Sequence, residues 1–388
     1  MGLNTLTILL VALGWLTAGL AVAGTCYTVM TGILIGRFFR GDSPPSRTVS
    51  LGQSVTILKP LHGAEPRLRQ NLEGFFLQDG AAPAQIVFGV QASDDPALDV
   101  ARTLELERAS QDAVIVVDGT TRGQNQKISN IINMMTRSVH PVLVLSDSDI
   151  GVPKDYLRRV LAALNQPDVG VVTCPYYGVA DVGFWSKVSA MGLSYQFLPN
   201  LIAGVSLGMA HPCMGSTIAL RRETLDRIGG FDAFCDTLAD DYAIGAAVRA
   251  LGLKSVVAPV LVSHSCTEET FRALIAHELR WARTVKAVDP VGHLGSIVTH
   301  PLALALLAAA FFDFSTPALG LVLAAFAARL WLMGRIDRAI GRVLGSWWLS
   351  PLRDITSFLV FAGSFFISSV EWRGAKFHVT GDGGLRPV

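Results

Sequence analysis

Charge is scarce in this chain. Asp, Glu, Lys and Arg make up 16% of its 388 residues, against about 25% in typical soluble domains. The formal net charge is +1, so there is no electrostatic footprint for nucleic acid. Cysteine is sparse and unpatterned. Cys26, Cys174, Cys213, Cys235 and Cys266 are odd in number and form no CxxC pair. That argues against zinc ligation and a disulfide framework, and for free thiols in a reducing compartment. The amino terminus lacks the basic region of a signal peptide, and the apolar run that follows is too long for one.

What is abundant is apolar residues, at 51%, with a mean hydropathy of +0.43. They concentrate at the two ends. Leu6 to Phe39 is almost uninterrupted and carries no charge before Arg37, which is long enough to span a hydrocarbon core. Arg37, Arg40 and Arg47 follow it, so the positive-inside rule puts the amino terminus outside and the large central domain in the cytoplasm. Leu302 to Met333 forms a second apolar region, broken by "FDFSTP" at Phe312 to Pro317. The break reads as a tight turn between two helices, and this is favoured over a functional intramembrane role for Asp313. A basic loop is expected from Arg335 to Arg342. The last apolar run, Ile355 to Val370, is short, with Arg373 and Lys376 beyond it, and reads as either a spanning or an interfacial helix. The expected organisation is an N-terminal transmembrane helix (1–40), a cytoplasmic domain (48–293), a C-terminal membrane region (299–372) and a tail (373–388).

Within the central domain, "SVTILKP", "QIVFGVQ", "AVIVVD" and "PVLVLS" alternate with helical patterns such as "NQKISNIINMM". That alternation predicts an α/β fold with a mainly parallel sheet, whose ligands sit beyond the carboxyl ends of the strands. Lys59 and His62 follow the first run, Asp94 and Asp95 the second, Asp147 and Asp149 the fourth. A buried strand ending in two carboxylates is costly unless something offsets the charge. A hard divalent cation, Mg²⁺ or Mn²⁺, held against substrate phosphates would do so.

Each motif has a plainer explanation. Asp94 or Asp95 before Pro96 makes a good helix start. "DSD" could cap the helix near Pro153. "ADDYAIGAAVRAL" is a helix opening with acids that its dipole favours. These explanations do not account for three acidic clusters and a later "HELRWAR" in one membrane-anchored domain.

"KPLHG" at Lys59, "DDPA" at Asp94, "NQK" at Asn125, "DSD" at Asp147, "ADDY" at Ala239 and "RW" at Arg280, taken in order, resemble the membrane glycosyltransferases of the ceramide glucosyltransferase type. The wording of "HPCMGSTIALRRETLDRIGGF" and "HELRWARTVKAVDP" is more similar to the bacterial hopanoid-biosynthesis branch. The resemblance implies a GT-A nucleotide-sugar domain, Rossmann-like, in a bacterial inner-membrane protein. It also implies inverting transfer of one sugar from a UDP-sugar to a lipid hydroxyl. For the hopanoid branch that is N-acetylglucosamine to a bacteriohopanoid polyol; the alternative is glucose from UDP-glucose to ceramide. Membrane lipids are then partners and nucleic acid is not.

Carried over residue by residue, Asp147 and Asp149 would hold the metal against the diphosphate. Asp95 would help bind the nucleotide. Lys127 would add a positive charge near the uridine or phosphates, the alternative being an ordinary exposed helix lysine. Asp241 would be the general base. Asp240 is given a supporting role at most, because neighbouring helix residues point about 100° apart. Arg280 would brace the departing diphosphate and Trp281 would wall the acceptor site, though an interfacial Arg-Trp pair explains the same residues. His277 departs from the Gln or Arg that opens the related signature. A processive polysaccharide synthase and an inactive membrane scaffold are the rival readings.

Overall fold

The computed structural model describes residues 2–39, 53–79, 84–366, 370–372, 375–379 and 385–387. Arg40, Arg47 and Arg373, which bear on membrane orientation, lie outside them. A single helix, α1 (Gly2–Phe38), opens the chain. The central domain begins with β1 (Val55–Pro60), α2 (Leu68–Phe76), β2 (Ala84–Val90), α3 (Ala97–Glu107), β3 (Asp112–Val117), α4 (Gln126–Met135) and β4 (Val142–Leu145). The four strands fall on the four apolar runs. A short β5 (Ile150–Gly151), α5 (Tyr156–Leu164), β6 (Val169–Thr173) and β7 (Tyr176–Ala180) follow. Then come α6 (Gly183–Gly192), a π-helical turn (Leu193–Phe197), α7 (Leu198–Ser206), β8 (Ile218–Arg221), α8 (Arg222–Arg227), α9 (Asp240–Ala250), β9 (Lys254–Val257) and β10 (Val262–Cys266).

Seven strands form one sheet in the order β3-β2-β1-β4-β8-β6-β9. β1 pairs in parallel with β2 and β4, and β2 with β3. β8 is antiparallel to β4 and to β6. Strands of a doubly covered sheet are apolar on both faces. Val55 and Ile57 accordingly enter the core under α2, α3 and α5, while Leu58 enters the opposite core under α4 and α9. Between β1 and β4 the chain changes its direction of growth along the sheet. That switch point is where α/β sheets open a crevice, and Lys59 and Asp147 lie at its edge.

The C-terminal half continues with α10 (Phe271–Val288), α11 (Pro290–Gly295), α12 (Pro301–Phe311), α13 (Thr316–Ile340) and α14 (Ser350–Gly363). Three short strands, β11 (Val370–Trp372), β12 (Ala375–Val379) and β13 (Leu385–Pro387), form a small antiparallel sheet. Among the described residues two helices are long and apolar enough to cross a membrane, Thr5–Phe38 and Thr316–Ile340. α1 packs along both α12 and α13. Gly24 and Gly32 permit the approach: a Cβ at Gly24 would lie 2.4 Å from the Val298 carbonyl, and one at Gly32 2.2 Å from the Trp331 ring. Small residues at such contacts are how apolar helices associate in lipid.

Three expectations need correction. The break at "FDFSTP" is a turn, with Asp313 and Phe314 in the left-handed region, but its first arm, α12, has 11 residues. That is about 16 Å at 1.5 Å per residue, too short for a bilayer core; only with the preceding segment Pro290–Thr299, bent from it by 68°, does it reach span length. The stretch from Arg335 to Arg342 is not a loop: α13 runs on to Ile340 and ends at left-handed Gly341, and Arg335 Nε donates to the Gly32 carbonyl on α1. The run expected to begin at Ile355 belongs to α14, which starts at Ser350 and buries Arg353 and Asp354. Arg329 meets Asp354 at 2.7 Å, and Arg353 meets Glu278. At 14 residues with two buried ion pairs, α14 braces the other helices and is not a span of its own.

Candidate active site

Asp147 leaves the end of β4, where Gly215 pins it. The Asp147 N–H donates to the Gly215 carbonyl at 3.2 Å, and the Gly215 N–H donates to Asp241 Oδ2 at 3.0 Å. A Cβ at position 215 would lie 2.4 Å from Asp147 Oδ2, so glycine is required for this approach. Asp241 Oδ1 also accepts the Tyr242 N–H at 2.7 Å. Lys127, on the first turn of α4, reaches in from the side: its Nζ lies 2.7 Å from Asp147 Oδ1 and 3.3 Å from Asp240 Oδ2. Asn125 caps α4 through Ile128 and turns its amide to Asp240.

The exposed-lysine alternative for Lys127 is thereby excluded, since its side chain is 17% exposed. Burial pushes its pKa down, but Asp147, Asp240 and Asp241 outweigh that and raise it well above the ordinary value. Asp240, expected to play a supporting part at most, pairs with Lys127. Asp240 and Asp241 do diverge around the start of α9, yet the site wraps that end of the helix, so one faces Lys127 and the other Gly215. Burial and the neighbouring Asp240 lift the Asp241 carboxyl to about 6, against the opposing pull of Lys127.

Asp149 lies on the other side of Asp147. Its Oδ2 is 3.3 Å from His264 Nε2 on β10, and its Oδ1 is buried with no hydrogen-bond partner among the described residues. Glu65 borders the same space and accepts from the Ser148 hydroxyl at 3.2 Å. Burial and the Asp149 charge raise the Glu65 carboxyl to about 7. Lys59 sits beneath, fully buried, with its ammonium on the Asp147 carbonyl and the Ser146 hydroxyl. Burial lowers its pKa to about 7 despite Asp147, Asp149 and Glu65. A cavity of about 280 Å³ opens here, walled by His62, Glu65, Gln91, Lys127, Asp147 and Asp149 among others. Among the described residues no cluster of three His, Cys, Asp or Glu side chains forms a ready metal cage. Two hard carboxylates with one orphaned oxygen suit a cation that takes its remaining ligands from phosphate and water, as Mg²⁺ does.

Asp95 is buried and its carboxylate is in use. It accepts the Gly63 N–H at 2.9 Å, accepts the Ala97 N–H at 2.9 Å in the first turn of α3, and pairs with His62 Nδ1 at 3.1 Å. The helix-start explanation therefore holds for Asp95 and not for exposed Asp94. The same contacts order the loop that brings His62 to the cavity wall.

A row of rings leads away from the carboxylates. Phe197 stacks on Tyr176 at 4.6 Å between centroids, Tyr176 on His264 at 5.4 Å, His264 meets Trp281 at 6.1 Å, and Trp281 meets His277 at 4.5 Å. Phe197, Trp281 and His277 line a second cavity of about 250 Å³, enclosed by α6 with its π-helical turn, α10, the start of α12, and α14. π-Helical turns recur at functional sites. Arg280, next to Trp281, is half-buried, and burial lowers its pKa. It has no ion-pair or side-chain hydrogen-bond partner among the described residues.

Asp147, Asp149, Lys127 and Asp241 thus meet at one end of the sheet, Trp281 joins them through His264, Asp95 reaches the cavity wall through His62, and no ion pair or side-chain hydrogen bond ties Arg280 to them among the described residues. Glu65, His264 and Gly215 escaped sequence reasoning. Glu65 follows the first strand by five residues and was within reach of the strand-end argument. His264 had no signal, because β10 joins the site only through its pairing with β5 and β7.

The sequence profile of glycosyl transferase family 21 matches residues 16–385. Ceramide glucosyltransferase 1 of Caenorhabditis elegans is 24% identical over 345 residues, covering 86% of this chain and 73% of that one. Ceramide glucosyltransferase 3 of the same organism is 24% identical over 346 residues, covering 86% and 74%. Among solved structures, a mannosyltransferase from Pyrobaculum calidifontis in complex with GDP-Man and Mn²⁺ aligns with a TM-score of 0.51 at 20% identity, covering 84% of this chain and 98% of that one. That likeness shows the shared GT-A fold.

Proposed function

Because the chain belongs to glycosyl transferase family 21, and so is a membrane enzyme that transfers a sugar from a nucleotide donor, we propose that it moves one sugar from a UDP-sugar to the hydroxyl of a ceramide-type lipid, with inversion. The hopanoid acceptor suggested by sequence wording finds no support in the comparisons, whose relatives are ceramide glucosyltransferases. The observation that carries the reading is the row of rings from the carboxylate cavity to the second cavity, which lies among α6, α10 and α14 and borders residues 296–300, the segment leading into α12, a helix packed on α1. It supports a donor site and a lipid site meeting at Trp281.

The nucleotide-sugar lies in the cavity walled by Lys127, Asp147 and Asp149. Asp147 and Asp149 would hold Mg²⁺ or Mn²⁺, which when bound would neutralise charge on the diphosphate. Lys127 adds a fixed cation at the same oxygens. Asp95 acts indirectly by ordering the loop that carries His62 to the nucleotide. The acceptor hydroxyl enters past Trp281, and Asp241 takes its proton as it attacks the anomeric carbon. Arg280 turns its unpaired guanidinium to the leaving diphosphate. The catalytic domain faces the cytoplasm, where UDP-sugars are made.

The test is product analysis with the purified full chain, given UDP-glucose or UDP-N-acetylglucosamine and either ceramide or a bacteriohopanoid polyol. The expected product is ceramide carrying one β-linked sugar, by mass spectrometry and NMR. A polymer, or sugar on the polyol alone, overturns the proposal.

A further inference from the structure

One pair beside the second cavity has no part in the scheme above. Glu268, in the turn after β10, is buried, and its Oε1 meets His277 Nδ1 on α10. Burial pushes the Glu268 carboxyl upward, but its hydrogen bond with His277 leads the effects that hold it below the ordinary range. A carboxylate accepts, so the contact makes Nδ1 the donor, and in the neutral form of the ring that tautomer leaves Nε2 as the lone-pair acceptor. The His277 side chain is 25% exposed and lines the cavity. Trp281 fixes the ring edge-on at 72°. Nε2 has no partner among the described residues.

Several neighbouring polar groups are, by contrast, engaged with one another. Gln196 accepts from the Ser357 hydroxyl and faces His300 Nδ1 at 3.4 Å, and Arg353 holds Glu278. A head group entering this cavity therefore meets a free, oriented acceptor at His277. On the opposite side of Trp281 stands His264, which touches Asp149.

We propose that His277 and Glu268 form the recognition element for the lipid acceptor: Nε2 of His277 accepts a hydrogen bond from a second donor on the lipid head, a hydroxyl or amide N–H beside the reacting hydroxyl, and Glu268 holds the ring in the tautomer that can do so. The proposal rests on the lipid-glycosyltransferase reading. It selects amphiphiles whose head carries at least two hydrogen-bonding groups and discriminates against simple long-chain alcohols.

The test uses the full chain in lipid nanodiscs with UDP-glucose and three probes: hexanoyl ceramide, its 3-deoxy analogue and its N-methyl analogue. The wild type is expected to prefer hexanoyl ceramide to at least one analogue by about tenfold in kcat/KM, the order of one hydrogen bond. His277→Phe is expected to abolish that preference and raise the lipid KM about tenfold, with the KM for UDP-glucose unchanged. His277→Gln, which keeps a side-chain carbonyl, is expected to restore much of the preference, and Glu268→Gln to weaken it. UDP-glucose affinity reports the integrity of each variant. Preference retained in His277→Phe, or loss expressed equally in the KM for UDP-glucose, overturns the proposal. A wild type that binds UDP-glucose but glycosylates none of the probes overturns the ceramide reading itself, and the pair's role with it.

Discussion

The Lys127 ammonium lies 2.7 Å from the Asp147 carboxylate, a protein cation seated at the strand end where the charge of two aspartates first called for one. Replacing it with methionine leaves Asp147, Asp240 and Asp241 without that counter-charge. The pair is only partly buried, so breaking it costs less than the roughly 3 kcal/mol of a fully buried one. The expected outcome for Lys127→Met is a lower thermal midpoint and turnover reduced about 10²-fold, recovered in part by raising Mn²⁺. Wild-type stability and turnover would show that the pair is incidental.

Asp241 supplies a pH test. Its carboxyl is lifted to about 6 by burial and by Asp240, and a base works ionised, so kcat/KM should rise with pH through about 6 and level off above it. Asp240→Asn removes the adjacent negative charge, makes ionisation of Asp241 easier and should move that limb to lower pH. Asp241→Asn should lower turnover by about 10²–10⁴-fold, the usual contribution of a general base, with UDP-sugar affinity little changed. A pH profile unmoved by Asp240→Asn would separate the limb from Asp241.

Metal dependence is expected to follow the two carboxylates. EDTA should abolish wild-type turnover, and Mg²⁺ or Mn²⁺ should restore it. Asp147→Asn and Asp149→Asn should each raise the metal concentration needed for half-maximal activity and lower turnover. Initial rates across a metal titration decide this, and full activity in metal-free buffer would refute it.

Arg280 combines partial burial with no ion-pair partner among the described residues, a state that gains the folded protein little. Arg280→Leu is therefore expected to leave the thermal midpoint unchanged or slightly higher while turnover falls by about 10²-fold, the scale of a lost charge-stabilising donor. A fall in both stability and activity would mark Arg280 as structural.

Orientation is open to direct labelling. A peptide tag beside Gln111, in the turn before β3, should be shielded in intact cells and reachable after lysis. Labelling of intact cells from outside would reverse the orientation.

The four parallel strands, the long first helix and the turn at Asp313 were legible in the sequence because each is a local property. Apolar runs, span length and helix-breaking residues act over a few neighbours, and burial amplifies what they begin. The strand-end argument also placed Asp147 and Asp149 beyond the end of β4, beside the cavity, since a sheet sends every parallel strand's end to the same edge. Packing between distant segments decided the rest. Lys127 and Asp240 are more than a hundred residues apart, and no periodicity indicates that α4 and the start of α9 converge on one carboxylate knot. Helix phase alone turned Asp240 away; the site wrapping the helix end brought it back. His264 entered through a small second sheet, and α14 lost its reading as a possible span once Arg353 and Asp354 found Glu278 and Arg329. The pairing of His277 with Glu268 likewise depends on how α10 lies against the turn after β10. Charges buried in pairs lie beyond a reading of local pattern, because hydropathy counts each as exposed until its partner is placed beside it.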